Sequence, residues 1–71
     1  MEELRGHCFQ HYKTGKLYKL IDFARHSETL EEMVIYQQME DKQVWVRPKA
    51  MFFETVMYEG QQVPRFKEVT E

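Results

Sequence analysis

Three short stretches carry the residue types that could do chemistry: HCFQH at 7–11, RHSET at 25–29 and VWVR at 44–47. A serine beside a histidine suggests nucleophilic catalysis. That chemistry needs a base within about 3 Å of the hydroxyl and a third group to orient the base. Adjacent side chains of an extended chain point to opposite faces, so His26 and Ser27 pair only if the backbone turns sharply. No glycine-rich elbow flanks Ser27. The plainer reading is a polar turn, in which Ser27, Glu28 and Thr29 satisfy backbone groups. His26 acting alone as a general base of a small enzyme is the catalytic alternative, since histidine titrates near neutral pH.

His7, Cys8 and His11 are all metal-ligand types. On a strand, His7 and His11 share a face but stand about 13 Å apart, and Cys8 points the other way. A tetrahedral site with bonds near ~2 Å does not form from those positions. No metal and no cofactor is expected, and Cys8 reads as a small apolar residue.

Trp45 and Arg47 alternate with Val44 and Val46. If the valines face the core, Trp45 and Arg47 share the more exposed face. A guanidinium beside an indole there grips an anion or a planar group. The competing reading makes Trp45 a core residue and pairs Arg47 with a glutamate. Small barrels gather strand ends, so Arg25, His26, Trp45 and Arg47 are expected to form one anionic or polar ligand site.

The elements that must hold these residues are short. HCFQHY at 7–12 reads as a strand, KTGK at 13–16 as a turn, and LYKLIDFA at 17–24 as a second strand. In that strand Leu17, Lys19, Ile21 and Phe23 fall on one face and Tyr18, Leu20, Asp22 and Ala24 on the other. Residues 29–41 are ambiguous. Thr29 and Glu32 fit a helix capping box, whereas the run MVIY favours a strand. EDKQ at 40–43 is a hairpin turn, Pro48 closes a strand at 43–47, and PKAMFF at 48–53 makes one helical turn with Pro48 in its first position. ETVMY, EGQQ and VPRF then read as strand, turn and strand. This pattern predicts a mainly β, SH3-like or Sm-like curved barrel of five or six short strands.

The chain has 71 residues, 42% apolar and 14% aromatic, which suits one small globular domain with loose ends at 1–4 and 68–71. One cysteine excludes an intrachain disulfide. The acidic MEEL start argues against a signal peptide, and no apolar run approaches the length of a membrane span. A reducing cytoplasm is the expected compartment. The net charge of −2 lacks the basic excess usual in nucleic-acid binders, although residues 1–26 lean basic. Met51, Phe52, Phe53, Val56, Met57 and Tyr58 are more apolar bulk than one small core needs, so a symmetric dimer is expected.

HYKTG at 11–15, ARHSET at 24–29, VIYQ at 34–37, WVRPKAMF at 45–52 and VPRF at 63–66 occur in an order that resembles the small bacterial proteins of the domain of unknown function 1653 family. The resemblance covers about residues 5–67. It implies a compact, mainly β bacterial protein with an extended segment after HSET, and it implies no activity. The functional expectation is therefore a binding module for a protein, peptide or small anionic ligand. A small enzyme and a weak nucleic-acid-binding barrel are the alternatives.

Overall fold

In the computed structural model, which describes residues 4–69, the chain forms seven strands and one short helix. The strands are β1 (Cys8–His11), β2 (Leu17–Arg25), β3 (Glu32–Gln38), β4 (Val44–Pro48), β5 (Thr55–Tyr58), β6 (Gln61–Pro64) and β7 (Phe66–Val69). Helix α1 spans Lys49–Phe52. Within the ambiguous stretch 29–41, Glu32–Gln38 is strand and the ends belong to turns, so the MVIY signal outweighs the capping box. The strand count exceeds the expected five or six because Arg65 breaks the last apolar run, leaving Phe66 to open a further strand.

A five-stranded antiparallel sheet runs in the order β4-β3-β2-β1-β7, and β5-β6 form a separate hairpin. No ladder closes the sheet into a barrel among the described residues. The sheet is nevertheless curved, because Arg47 on one edge strand reaches over the ring of Phe66 on the other edge strand. Leu4 packs against the core and Glu68 and Val69 pair with β1. Residues 1–3, 70 and 71, where loose ends are expected, lie outside the described residues. No described helix is long and apolar enough to cross a membrane.

One turn design is used three times between the first four strands. Its first residue accepts from the fifth and donates to the sixth: Gly15 N–H to His11 O (2.9 Å) and His11 N–H to Lys16 O (3.0 Å). Leu30 with His26 and Lys42 with Gln38 repeat this closure. The fourth residue uses a side-chain oxygen, Thr14, Thr29 or Asp41, to accept the N–H of the sixth. The fifth residue is left-handed, with φ of 75° at Gly15 and 65° at both Leu30 and Lys42. Two of these turns add a histidine. His11 Nδ1 accepts from the N–H groups of Lys13 and Thr14, and His26 Nδ1 accepts from those of Glu28 and Thr29. RHSET is therefore a turn, as its polar residues imply, with His26 rather than Ser27 meeting most of its backbone donors.

A side chain at left-handed φ costs about 1–2 kcal/mol, and glycine avoids most of it. Leu30 is 62% exposed, so it gains little by burial in return. Leu30→Gly should raise the urea midpoint by the equivalent of about 0.5–1 kcal/mol after the entropic cost of glycine in the unfolded chain. A lower midpoint would show that the Leu30 side chain holds the turn in some other way.

The core is aromatic: Phe9, Leu20, Val34, Tyr36, Phe52 and Phe66 are buried. A bulge decides which residues of β2 reach it. Leu20 pairs with Tyr36 but Asp22 pairs with Ile35, so Ile21 is an extra residue. The bulge switches the face mid-strand, and Leu20 and Phe23 both point inward while Leu17 and Ile21 are exposed. This corrects the simple alternation expected for 17–24. Pro48 still belongs to β4, pairing with Met33, and precedes α1 by one residue. The helix then drops Phe52 onto the sheet, where it stacks on Phe66 with centroids 4.3 Å apart and meets Phe9 and Tyr36 edge-on or tilted. Beyond it, β5 and β6 turn through Glu59 and Gly60, both at positive φ, as a two-residue hairpin requires.

Candidate functional site

Register, more than sequence order, assembles the site. Trp45 pairs with Tyr36 and Arg47 with Val34, so both lie on the face of β4 that looks toward the core, at its rim. Val44 and Val46 pair with Gln37 and Ile35 on the opposite face and are exposed. Of the two sequence readings, one puts Trp45 in the core and the other turns the valines inward. The structure turns the valines outward because the inward positions of β3 are Val34, Tyr36 and Gln38, and the cross-strand partner inherits its neighbour's face. Trp45 is 50% exposed, so it is rim and not core.

Beside Arg47 three rings form a near-regular triangle. Tyr18, Tyr36 and Phe66 have pairwise centroid distances of 5.4 Å. Arg47 Nε donates to the Tyr36 hydroxyl at 3.3 Å, and its guanidinium carbon sits 5.7 Å from the Phe66 centroid. His11 meets Phe66 edge-on at 5.1 Å. Neither Tyr18, Tyr36 and Phe66 nor His11 is a sequence-derived ligand candidate. The pairs Tyr18–Gln38 and Tyr36–Trp45 follow from the two hairpin turns at 26–31 and 38–43, but Phe66 is brought there only by the return of β7.

The electrostatics all have one sense. Arg47 is half-buried and has no carboxylate within ion-pair distance among the described residues, whereas Lys16, Lys49 and Arg65 each have one. Burial raises the Tyr18 phenol above its usual range, helped by Tyr36 and Asp41 and opposed by Arg47. The phenol stays a donor. Burial also lowers the His11 pKa from 6.5, as do the positive charges of Arg47, Arg65 and Lys13. His11 is therefore neutral at pH 7, and since Nδ1 accepts turn hydrogen bonds, its ring proton sits on Nε2. Tyr36 spends an oxygen lone pair on Arg47 and keeps its own O–H to give. A guanidinium, two phenols and an imidazole N–H make a set of donors, with Asp41 the acid felt at Tyr18 and no carboxylate among the described residues in ion-pair distance of Arg47.

His11 has a consequence for stability. Above pH 6.5 both folded and unfolded chains hold it neutral. As pH falls from 6.5 toward the lower folded value, the unfolded chain takes up the proton first, so stability falls with it. The imidazole C–H resonance of His11 should titrate below 6.5 by NMR. The loss of stability across this window should shrink in His11→Asn, whose amide oxygen can still accept the turn N–H groups. A midpoint at or above 6.5 would contradict the burial and charge argument.

Arg25 and His26 lie elsewhere on the sheet. Arg25 pairs with Glu32, two positions along β3 from Val34, which puts it on the same face as Arg47. Phe23 and Lys49 stand between them: Lys49 Nζ is 5.7 Å from the Phe23 centroid and 3.3 Å from Glu32. Arg25 donates to Leu30 O at 2.9 Å, across the turn that His26 caps. The structure thus brings Trp45 and Arg47 together with Tyr36, and Arg25 together with the turn. His7 pairs with Glu68, away from His11, and among the described residues no three His, Cys, Asp or Glu side chains gather as metal ligands. Cys8 is a half-buried free thiol.

The family model for a protein of unknown function, DUF1653, matches residues 7–68. The chain belongs to the DUF1653 family. The DUF1653 match spans every strand of the sheet and the hairpin, from the residue before β1 to Glu68 in β7. No curated protein and no solved structure is significantly similar to the chain.

Proposed function

We propose that this DUF1653 protein is a binding module for a ligand that carries an anionic group, carboxylate or phosphate, on a planar body. The observation that carries the reading is the Arg47 guanidinium, half-buried over Phe66 and tied to the Tyr36 hydroxyl, with donors around it and no acid beside it. Arginine in that state is pre-organised: its head is already fixed and partly stripped of water, and its remaining N–H groups need acceptors. Trp45 offers an exposed indole two residues away on the same face, suited to stack on the planar part. Arg25 lies farther along that face, with His26 at the turn beyond it, where a longer ligand such as a peptide would reach them. The curvature that carries Arg47 across to Phe66 supports an SH3-like or Sm-like arrangement, in which such a rim is a binding edge.

The geometry favours binding over catalysis by His26. Its Nδ1 lone pair is occupied by two turn N–H groups, so the neutral ring offers a donor and not a base. Phenyl phosphate is a suitable probe because it joins the two required parts. Titrated into the protein, it should shift the NMR signals of the Trp45 indole N–H and the Arg47 Nε–H together. Shifts confined to Arg25 and His26 would move the site to the turn, and no shift at millimolar probe would remove the reading.

A further inference from the structure

β4 is an edge of the sheet, and its outer side pairs with no strand among the described residues. Gln38 N–H bonds Gln43 O, and the register continues Gln37↔Val44, Tyr36↔Trp45. Antiparallel bonds alternate, so Trp45 and Arg47 exchange bonds with β3, while the backbone groups of Val44 and Val46 point outward. Only the Val44 carbonyl has a local partner, the Gln43 side-chain amide at 3.2 Å. Natural edges are blunted by charge or proline. The opposite edge, β7, carries Lys67 and Glu68. By contrast, residues 43–46 of the β4 edge are uncharged, and Val44, Trp45 and Val46 are 50%, 50% and 59% exposed.

We propose that this edge takes a second copy of the chain, β4 against β4, antiparallel about a two-fold axis. The sequence here is its own mirror, Val-Trp-Val, which is what a two-fold pairing centred on Trp45 needs. In that register each Val44 exchanges backbone bonds with Val46 of the other copy, and Arg47 falls opposite the uncharged Gln43. No like charges meet. Pairing β4 on β7 instead would set Lys67 and Glu68 against valines and would propagate as an open fibre. The dimer joins two five-stranded sheets into one of ten strands. Exposed Val44 and Val46 on the outer face continue into Ile35, Leu17 and Met39, so the joined sheet also pools its apolar area. The two Trp45 rings come face to face across the axis, each beside its own Arg47. The proposal stands on the edge alone and does not depend on the ligand reading.

The chain has one tryptophan, so its emission reports on the interface directly. Sedimentation equilibrium from low to high micromolar protein should give a monomer–dimer equilibrium, with Trp45 emission moving to shorter wavelength as the dimer forms. Val46→Pro removes an outward N–H and no bond to β3, and Val44→Lys places a charge on the edge. Each should weaken dimerisation at least tenfold with an unchanged circular dichroism spectrum. Met57→Glu, on the separate hairpin, should leave the dimer intact. The inference is overturned by a wild-type monomer throughout, by folded Val46→Pro and Val44→Lys chains that still dimerise, or by Met57→Glu being the variant that dissociates.

Discussion

Phe52→Ala should remove about a third or more of this protein's stability. Phe52 is 0% exposed and has rings of Phe9, Tyr36, Phe53 and Phe66 around it at centroid distances of 5.4, 5.2, 5.0 and 4.3 Å. Truncating a fully buried phenylalanine costs about 3–5 kcal/mol through lost burial and the cavity left behind. A domain of this size holds only about 3.5–10 kcal/mol in all. The neighbouring Met51 is exposed, and Met51→Ala should cost no more than about 0.5 kcal/mol. Urea denaturation followed by circular dichroism measures both. The contrast matters because two adjacent apolar residues of one helical turn differ so sharply. A Phe52→Ala protein with a near-normal midpoint would mean that α1 does not plug the sheet.

The effect would reach the site as well. Phe66 is stacked on Phe52 on one side and lies under Arg47 on the other. The ring that fixes the guanidinium is thus itself fixed by the core. This is why the proposed site and the interior cannot be assigned to separate parts of so small a fold.

The sequence made the strands legible where local chemistry is strong. The three turns announce themselves through Thr14 and Thr29 or Asp41 in the fourth position and, in the first case, through Gly15. MVIY reads as strand on its branched and aromatic side chains. What it hid were the choices made between strands. The bulge at Ile21 is set by a register shift against β3 that no single strand displays, and it reverses the inward face of β2. The face of β4 depends on which face of β3 is buried, so alternation puts Trp45 and Arg47 on one common face but leaves open whether that face or the valines' face turns inward. Leu30 at left-handed φ gives no local sign at all, because the residue type argues against that conformation.

The same distinction explains the site. Trp45 and Arg47 stand two residues apart and could be found by alternation. His11 stands out in the sequence only as a metal-ligand type at a spacing that makes no metal site, whereas its place is explained by a turn it caps and by Phe66, 55 positions later, meeting it across β1 and β7. Arg25 and His26 looked like site residues because of their types. Their hydrogen bonds show first that they build the turn.

Loss of Arg47 should cost the most in binding. A charge-assisted hydrogen bond to a ligand anion is worth about 1.5–3 kcal/mol, equivalent to roughly tenfold to a hundredfold in affinity. Arg47→Lys keeps the charge but lacks the planar fork and the Nε–H that reaches Tyr36, so it should recover only part of the binding. Trp45→Ala should weaken phenyl phosphate and leave the weaker binding of inorganic phosphate nearly unchanged, which separates the stacking role from the anion role. Arg25→Ala should matter little for either probe, since neither reaches past Phe23 and Lys49.

The most direct test is the affinity of phenyl phosphate for wild type and Arg47→Gln, measured by isothermal titration at pH 7 on chains shown to be equally folded. The expected result is at least a tenfold loss in Arg47→Gln. Equal affinity in the two proteins would contradict an anion site built on Arg47.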